Sequence, residues 1–110
     1  MIIKSLLAGA VLSASTFAIA NDIEKGKAIS FDRKKGNCLT CHAMEGGELA
    51  GNWGPPLIAM KARYPNKADL RAQIYDATKR NPMTSMPPFG RNGILTDEEI
   101  DLVVEFVHSL

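Results

Sequence analysis

The apolar positions change spacing several times along the chain. Between Leu6 and Ile19 they run together in a stretch that is small, alanine-rich and uncharged. From Asp22 to Lys34 they thin out to Ile23, Ala28, Ile29 and Phe31, which predicts a helix with Asn21 or Asp22 as its N-cap. A second helix is predicted over Lys67–Lys79, where Leu70, Ile74 and Ala77 recur at helical spacing and Tyr75 widens the face. Lys79 and Arg80 suit its C-terminal dipole, and Asn81-Pro82 stops it. The third helix opens on Thr96-Asp97-Glu98-Glu99, a capping box with acids in the first turn. Its apolar stripe is Ile100, Val103, Val104, Phe106, Val107 and Leu110, with Asp101 and Glu105 toward water. Between the helices lie segments rich in glycine and proline, around 46–56 and 83–93. No segment alternates well enough to read as a strand, so the fold is expected to be all-α.

The first apolar stretch is set apart from the rest. Lys4 precedes it and Ala18-Ile19-Ala20 follows it, the pattern of an export signal with a small-residue cleavage site. Residues 1–20 are therefore expected to be a removed signal peptide and residues 21–110 the working domain, in the periplasm. The stretch is too short and too alanine-rich to read as a membrane span. The chain has 110 residues and a formal charge of +1, and loss of residues 1–20 removes one lysine and brings it to zero. That balance gives no basic surface for nucleic acid or anionic lipid. About 90 residues make a marginal hydrophobic core. Gly26 falls inside the first predicted helix, where glycine costs about 1 kcal/mol against alanine. It marks either a weak helix or a place where another helix comes too close for a Cβ.

Cys38-Leu39-Thr40-Cys41-His42 changes the picture most. The run C-x-x-C-H is the attachment site of a c-type haem. Two thiols on one turn reach two vinyl groups, and the adjoining histidine, His42, reaches the iron. A redox disulfide would call for a βαβ context, which is missing. A structural zinc site needs four ligands, and the chain offers two cysteines and two histidines with no second cluster. One haem c, covalently attached through Cys38 and Cys41, is the expected cofactor. It would supply the flat apolar surface that so small a core lacks.

His42 leaves one axial position, for which Met44, Met60, Met83, Met86, lysines and His108 are candidates. Met44 is too near the motif to reach the other face of the ring. Met60 reads as core, and His108 as a cation at a helix C-terminus. Met83 and Met86 share a proline-stiffened loop, and Pro87 biases Met86 toward an extended backbone that can aim its side chain across the ring. Met86 is the expected ligand, ahead of Met83. A thioether opposite an imidazole favours Fe(II) and leaves no open iron position, so the expected chemistry is outer-sphere electron transfer. A ligating histidine normally donates its other N–H to a fixed acceptor. The Pro55 carbonyl is nominated for that role, and Leu57 for packing on the haem. Trp53, Tyr64, Arg63, Arg71 and Arg91 are open candidates for the propionates.

Taken together, Gly26, Cys38–His42, Gly54-Pro55-x-Leu57, Met86-Pro87-Pro88-Phe89-Gly90 and the apolar third helix resemble class I cytochrome c. The resemblance implies that family's fold, with helices and loops wrapped around one covalently bound haem. It also implies N- and C-terminal helices crossing at right angles, with Gly26 at the crossing near Phe106. It supports Met86 and the Pro55 carbonyl in the roles above. Gly36-Asn37-Cys38, Gly51–Leu57, Arg63-Tyr64-Pro65, Asn81-Pro82 and Met86–Gly90 also resemble the small monohaem X subunits (SoxX) of Sox AX cytochrome complexes. That narrower resemblance implies a partner-bound electron acceptor in thiosulfate oxidation. A SoxA-like haem subunit would carry the catalysis, as part of an L-cysteine S-thiosulfotransferase complex. A SoxYZ-like sulfur carrier would be met indirectly, and a downstream electron acceptor would follow. The alternatives are a freely diffusing carrier for a terminal oxidase or reductase, and a haem gas sensor or peroxidase-like enzyme. Met86 argues against the last.

Overall fold

The computed structural model describes residues 2–110, with side chains described from Ser15 onward. It contains four α-helices: α1 (Ile2–Phe31), α2 (Met60–Arg63), α3 (Lys67–Tyr75) and α4 (Asp97–His108). Two 3-10 turns, Cys38–Thr40 and Ala77–Lys79, stand at the ends of the intervening loops. There is no strand among the described residues, so the all-α expectation holds. No helix among them is long and apolar enough to cross a membrane.

Helix α1 is continuous through Asn21 and Asp22, which therefore do not cap it as expected. The alanine- and leucine-rich stretch before them is itself helix-forming and carries the hydrogen-bond ladder onward. The expected leader and the working domain thus share one helix here, and Met1 lies outside the described residues. The helix ends at Phe31 rather than Lys34. Asp32 turns the chain: its side chain accepts from the Lys34 N–H at 2.8 Å, and its carbonyl accepts from Lys35 and Asn37, each at 3.0 Å.

Helices α1 and α4 dock at Gly26. A Cβ there would lie 2.0 Å from the Leu102 carbonyl oxygen and 2.9 Å from the Phe106 Cβ. Of the two readings of Gly26 in the sequence, the structure selects close approach. Ser30, fully buried one turn on, donates its hydroxyl to the Gly26 carbonyl at 2.8 Å. The ring of Phe31 meets Phe106 edge-on at 5.8 Å. Helix α4 begins as its sequence predicts. Glu99 N–H donates to the Thr96 hydroxyl and Thr96 N–H to the Glu99 carboxylate, both at 3.1 Å. Glu99 also pairs with Lys35, tying the segment before the cysteines to this helix.

Helix α3 stops at Tyr75, four residues short of its predicted end. Asp76 is extended (φ −157°, ψ 90°) and its carboxylate accepts from the Thr78 N–H at 3.1 Å, capping a separate 3-10 turn. A side chain that can bond its own backbone competes with helix continuation. Asn66 caps the other end, accepting from Ala68 N–H at 2.9 Å. Arg71 pairs with Asp101 at 2.7 Å and Asp97 at 3.3 Å, and Lys67 with Glu105 at 2.9 Å, so charges lash α3 to α4 over the core. The short helix α2 was not foreseen. It starts after Ala59, whose positive φ of 51° re-aims the chain and drives Met60 to near-complete burial.

Replacing Gly26 with alanine tests the docking. The forced separation of two backbones should cost about 3 kcal/mol, outweighing about 1 kcal/mol gained in helix propensity. A lower urea midpoint of the haem-loaded protein, at unchanged slope, is the expected result.

Candidate haem and electron-transfer site

Between the loops and the inner faces of α3 and α4 lies a cavity of about 680 Å³. That falls in the range of cofactor sites. Its apolar walls include Leu57, Leu70, Ile74, Leu95, Val103 and Val107. Cys38, Cys41 and His42 also line it, and so do Met83 and Met86.

The motif is held on a single turn. Asn37 enters it in the left-handed conformation (φ 52°) and accepts the Thr40 hydroxyl at 2.7 Å. The Cys41 and His42 N–H groups both donate to the Cys38 carbonyl, at 3.2 and 2.8 Å. Both cysteines are free thiols, as attachment to two vinyl groups requires. Burial raises the Cys38 thiol pKa, partly offset by the Ser30 hydroxyl. Among the described residues no group of three or more His, Cys, Asp or Glu side chains could hold a metal ion.

The segment after the motif folds back over the turn. Gly51 N–H donates to the Leu39 carbonyl and Gly54 N–H to the Cys41 carbonyl, each at 2.8 Å. Gly54 is required by space: a Cβ there would lie 2.2 Å from His42 Cε1 and 2.6 Å from Nδ1. The imidazole is thus seated against bare backbone. His42 Nδ1 stands 2.7 Å from the Pro55 carbonyl oxygen. A carbonyl can only accept, so Nδ1 carries the proton and Nε2 keeps the lone pair a metal needs. Arg63 fixes the same loop from below, donating to the Pro56 carbonyl at 2.8 Å and to the Met60 sulfur at 3.3 Å.

Met83 and Met86 line the cavity from the later loop. Met86 is half-buried, packs on the core cluster, and donates its N–H to the Thr84 hydroxyl at 3.2 Å. Met83 is 88% exposed. Met44 is buried in the core outside the cavity wall, and Met60 is buried with its sulfur against Arg63. His108 is also outside the wall. It is buried, and its Nε2 donates to the Tyr64 carbonyl at 2.9 Å, so it ties the last turn of α4 to the residue that closes α2.

The loop bearing Met86 is clasped at its base. Gly90 and Arg91 N–H groups donate to the Tyr75 carbonyl at 3.0 and 3.3 Å. Arg91 reaches the buried Asp76 carboxylate and the Thr78 hydroxyl, both at 3.0 Å. Three of the propionate candidates are thereby sorted: Arg71 and Arg91 are committed to carboxylates, and Arg63 lines the cavity. Trp53 and Tyr64 line it as well, and Arg33 and Lys35 join them without having been singled out in the sequence. The clasp was equally hidden, because Asp76 and Arg91 are far apart in the chain and carry no motif.

The chain belongs to the cytochrome c family: the family model described as Cytochrome c matches residues 23–110. It is a haem electron-transfer protein carrying one covalently bound haem c. The free thiols on one turn, the oriented imidazole, the apolar walls and the bare Gly54 all fit that group. When bound, the haem supplies a one-electron Fe(III)/Fe(II) couple. Over 77 residues, 69% of its length, the chain is 36% identical to an uncharacterized lipoprotein of Aquifex aeolicus (strain VF5). It spans 37% of that relative.

Asp76 supplies a pH test of the clasp. The Thr78 hydroxyl, the Thr78 N–H and then the Arg91 and Lys79 charges hold its carboxyl below the usual carboxylate range, against the opposing effect of burial. Its stabilisation is complete above the unfolded value of about 3.9 and disappears as pH falls through the lower folded value. Asp76→Asn should therefore melt below the parent at pH 6, with the gap in Tm narrowing steadily below about pH 4.

Proposed function

We propose that this chain is the electron-accepting monohaem subunit of a periplasmic, SoxAX-type thiosulfate-oxidising complex. Its haem would be held by thioethers to Cys38 and Cys41. His42 and Met86 would be the axial ligands, Pro55 would orient His42, and Leu57 would pack on the ring. Coupling thiosulfate to a cysteine thiol forms one S–S bond and releases two electrons and one proton. The coupling would occur in a SoxA-like haem partner acting on the cysteine of a SoxYZ-like carrier. This chain would take the electrons one at a time and pass them to a downstream acceptor.

The observation that carries the partner-bound reading is the segment after the haem motif. Leu49, Trp53 and Ile58 are 101%, 83% and 63% exposed within ten positions of chain. Leu49 and Ile58 stand outside the cavity wall, so no cofactor would cover them. A shuttle works through small, brief contacts, whereas a permanent subunit needs a larger apolar interface with aromatic anchors. Met83 and Ile94, also exposed, extend apolar surface to the cavity mouth. Export, with residues 1–20 as a cleaved leader, agrees with haem attachment outside the cytoplasm and with a relative named as a lipoprotein.

Purification of the haem-loaded chain from its own cell envelope tests the assignment. The expected result is co-elution with a second haem protein that couples thiosulfate to a cysteine. Ile58→Ala should weaken that association by about five-fold or more, as for an interface residue whose truncation counts, with the haem spectrum unchanged because Ile58 stands outside the cavity wall. If the protein elutes alone and supports oxidase turnover, it is a free carrier instead.

The ligand assignment is tested separately. Met86→Ala should abolish the far-red sulfur-to-iron band of the oxidised protein, lower its potential and admit carbon monoxide. Met83→Ala should leave all three unchanged, and the reverse pattern would move the ligand to Met83.

A further inference from the structure

Among the described residues, Asn37, Leu49 and Ala59 are the positions other than glycine with positive φ. Asparagine is at ease in the left-handed region, and Ala59 uses it to send Met60 into the core. Neither account covers Leu49. Its φ is 56° and its side chain is 101% exposed, so the fold gains no burial from a residue that strains its own backbone. Glycine or asparagine would make the same turn at lower cost. A leucine held there in water serves something outside the chain.

The loop that carries Leu49 is stiff on both sides of it. Before it, Gly47 N–H donates to the Met44 carbonyl at 3.1 Å, and a Cβ on Gly47 would lie 2.3 Å from Leu39 Cδ2. After it, the N–H groups of Gly51, Gly54 and Leu57 donate to the carbonyls of Leu39, Cys41 and Ala43, each at 2.8 Å. These rungs lay the loop along the haem motif, and Ile58, also exposed and outside the cavity wall, stands at their end. A side chain held out on such a frame loses little freedom when a partner takes it. The charge beside it has one sign. From Ala43 to Met60 the chain carries Glu45 and Glu48 and no basic residue. Both are exposed, and neither is in an ion pair among the described residues. Two cations border the segment: Lys27 comes near Gly46 but lies over the Phe31 ring, and Lys61 is spent on the His108 carbonyl.

We propose that Leu49 is the anchor of the partner interface, a preset apolar knob that enters an apolar pocket rimmed by lysine or arginine on the haem-bearing partner. The inference rests on the partner-bound reading and adds to it the point of contact and the chemistry of the partner's surface. Glu45 and Glu48 meet the basic rim, which sets the register of the knob. Leu49 stands outside the cavity wall, so the partner grips it without touching the haem.

Leu49→Asn separates binding from folding, because the two should move in opposite directions. Asparagine relieves the backbone, so the haem-loaded variant should melt at or above the Tm of the parent, with its haem spectrum unchanged. Its complex with the haem partner isolated from the cell envelope should nonetheless weaken by about five-fold or more. The parent complex should lose affinity as salt rises, and the double variant Glu45→Gln, Glu48→Gln should bind more weakly with a flatter salt dependence. A complex as tight with Leu49→Asn as with the parent overturns the inference, and so does a parent complex indifferent to salt. A variant that melts well below the parent overturns it too, since Leu49 would then belong to the fold. If the parent elutes with no haem partner, the partner-bound reading falls first, and this inference with it.

Discussion

The close approach of α1 and α4 at Gly26 is the constraint on which the rest of the molecule depends. Two helices from opposite ends of the domain meet with no side chain between their backbones at the contact, 2.0 Å being all the room a Cβ would have. That contact fixes where α4 runs, and α4 carries Val103 and Val107 in the cavity wall. The charges of Arg71 and Lys67 then set α3 beside α4, and α3 carries Leu70, Gln73 and Ile74 in the same wall. The cavity is therefore bounded by helices whose positions are determined outside it. Loops alone could not hold such walls apart, because they lack the regular hydrogen bonding that resists local opening.

Against this frame, the two loops that face each other across the cavity are stiffened by different means. The loop after the cysteines is pinned through its backbone. Gly51 and Gly54 lie flat on the motif turn, and the Pro55 and Pro56 carbonyls are taken by His42 and Arg63. The loop bearing Met86 is pinned at its base by Tyr75, Asp76 and Arg91 and stiffened along its length by prolines. A chain that moves little between two charge states of its cofactor suits electron transfer. The surrounding dipoles are already oriented, and little must reorganise when the charge changes.

The same economy explains the surface. The buried polar residues Ser30, Asp76 and His108 are all paired, whereas the Gln73 oxygen in the cavity wall is not. Of the large apolar residues left exposed, Phe17 and Ile19 stand on α1, and the others lie on the loop after the haem motif or, as Met83 and Ile94, line the cavity. Small domains have little apolar material to spare, and Leu49 and Ile58 nonetheless stand in water outside the cavity wall.

The sequence alone determined the helical class, the capped start of α4, the attachment turn, and the close contact of His42 with the Pro55 carbonyl. Each of these is written in residues close together in the chain, where spacing and turn chemistry act directly. Tertiary structure alone decided which reading of Gly26 holds, where α3 ends, how Asp76 and Arg91 clasp the Met86 loop, and that Gln73 carries an unpaired oxygen into the cavity wall. Those depend on partners beyond the neighbouring turns of chain, from Arg91, 15 residues on from Asp76, to helix α4 at the far end of the domain from Gly26. The end of α3 shows the difference. Asp76 is a weaker helix former than Arg71, Ala72 and Gln73 before it and bonds the Thr78 N–H, but the bonds from Arg91 and to the returning Gly90 that further reward leaving the helix are announced by no pattern in the chain.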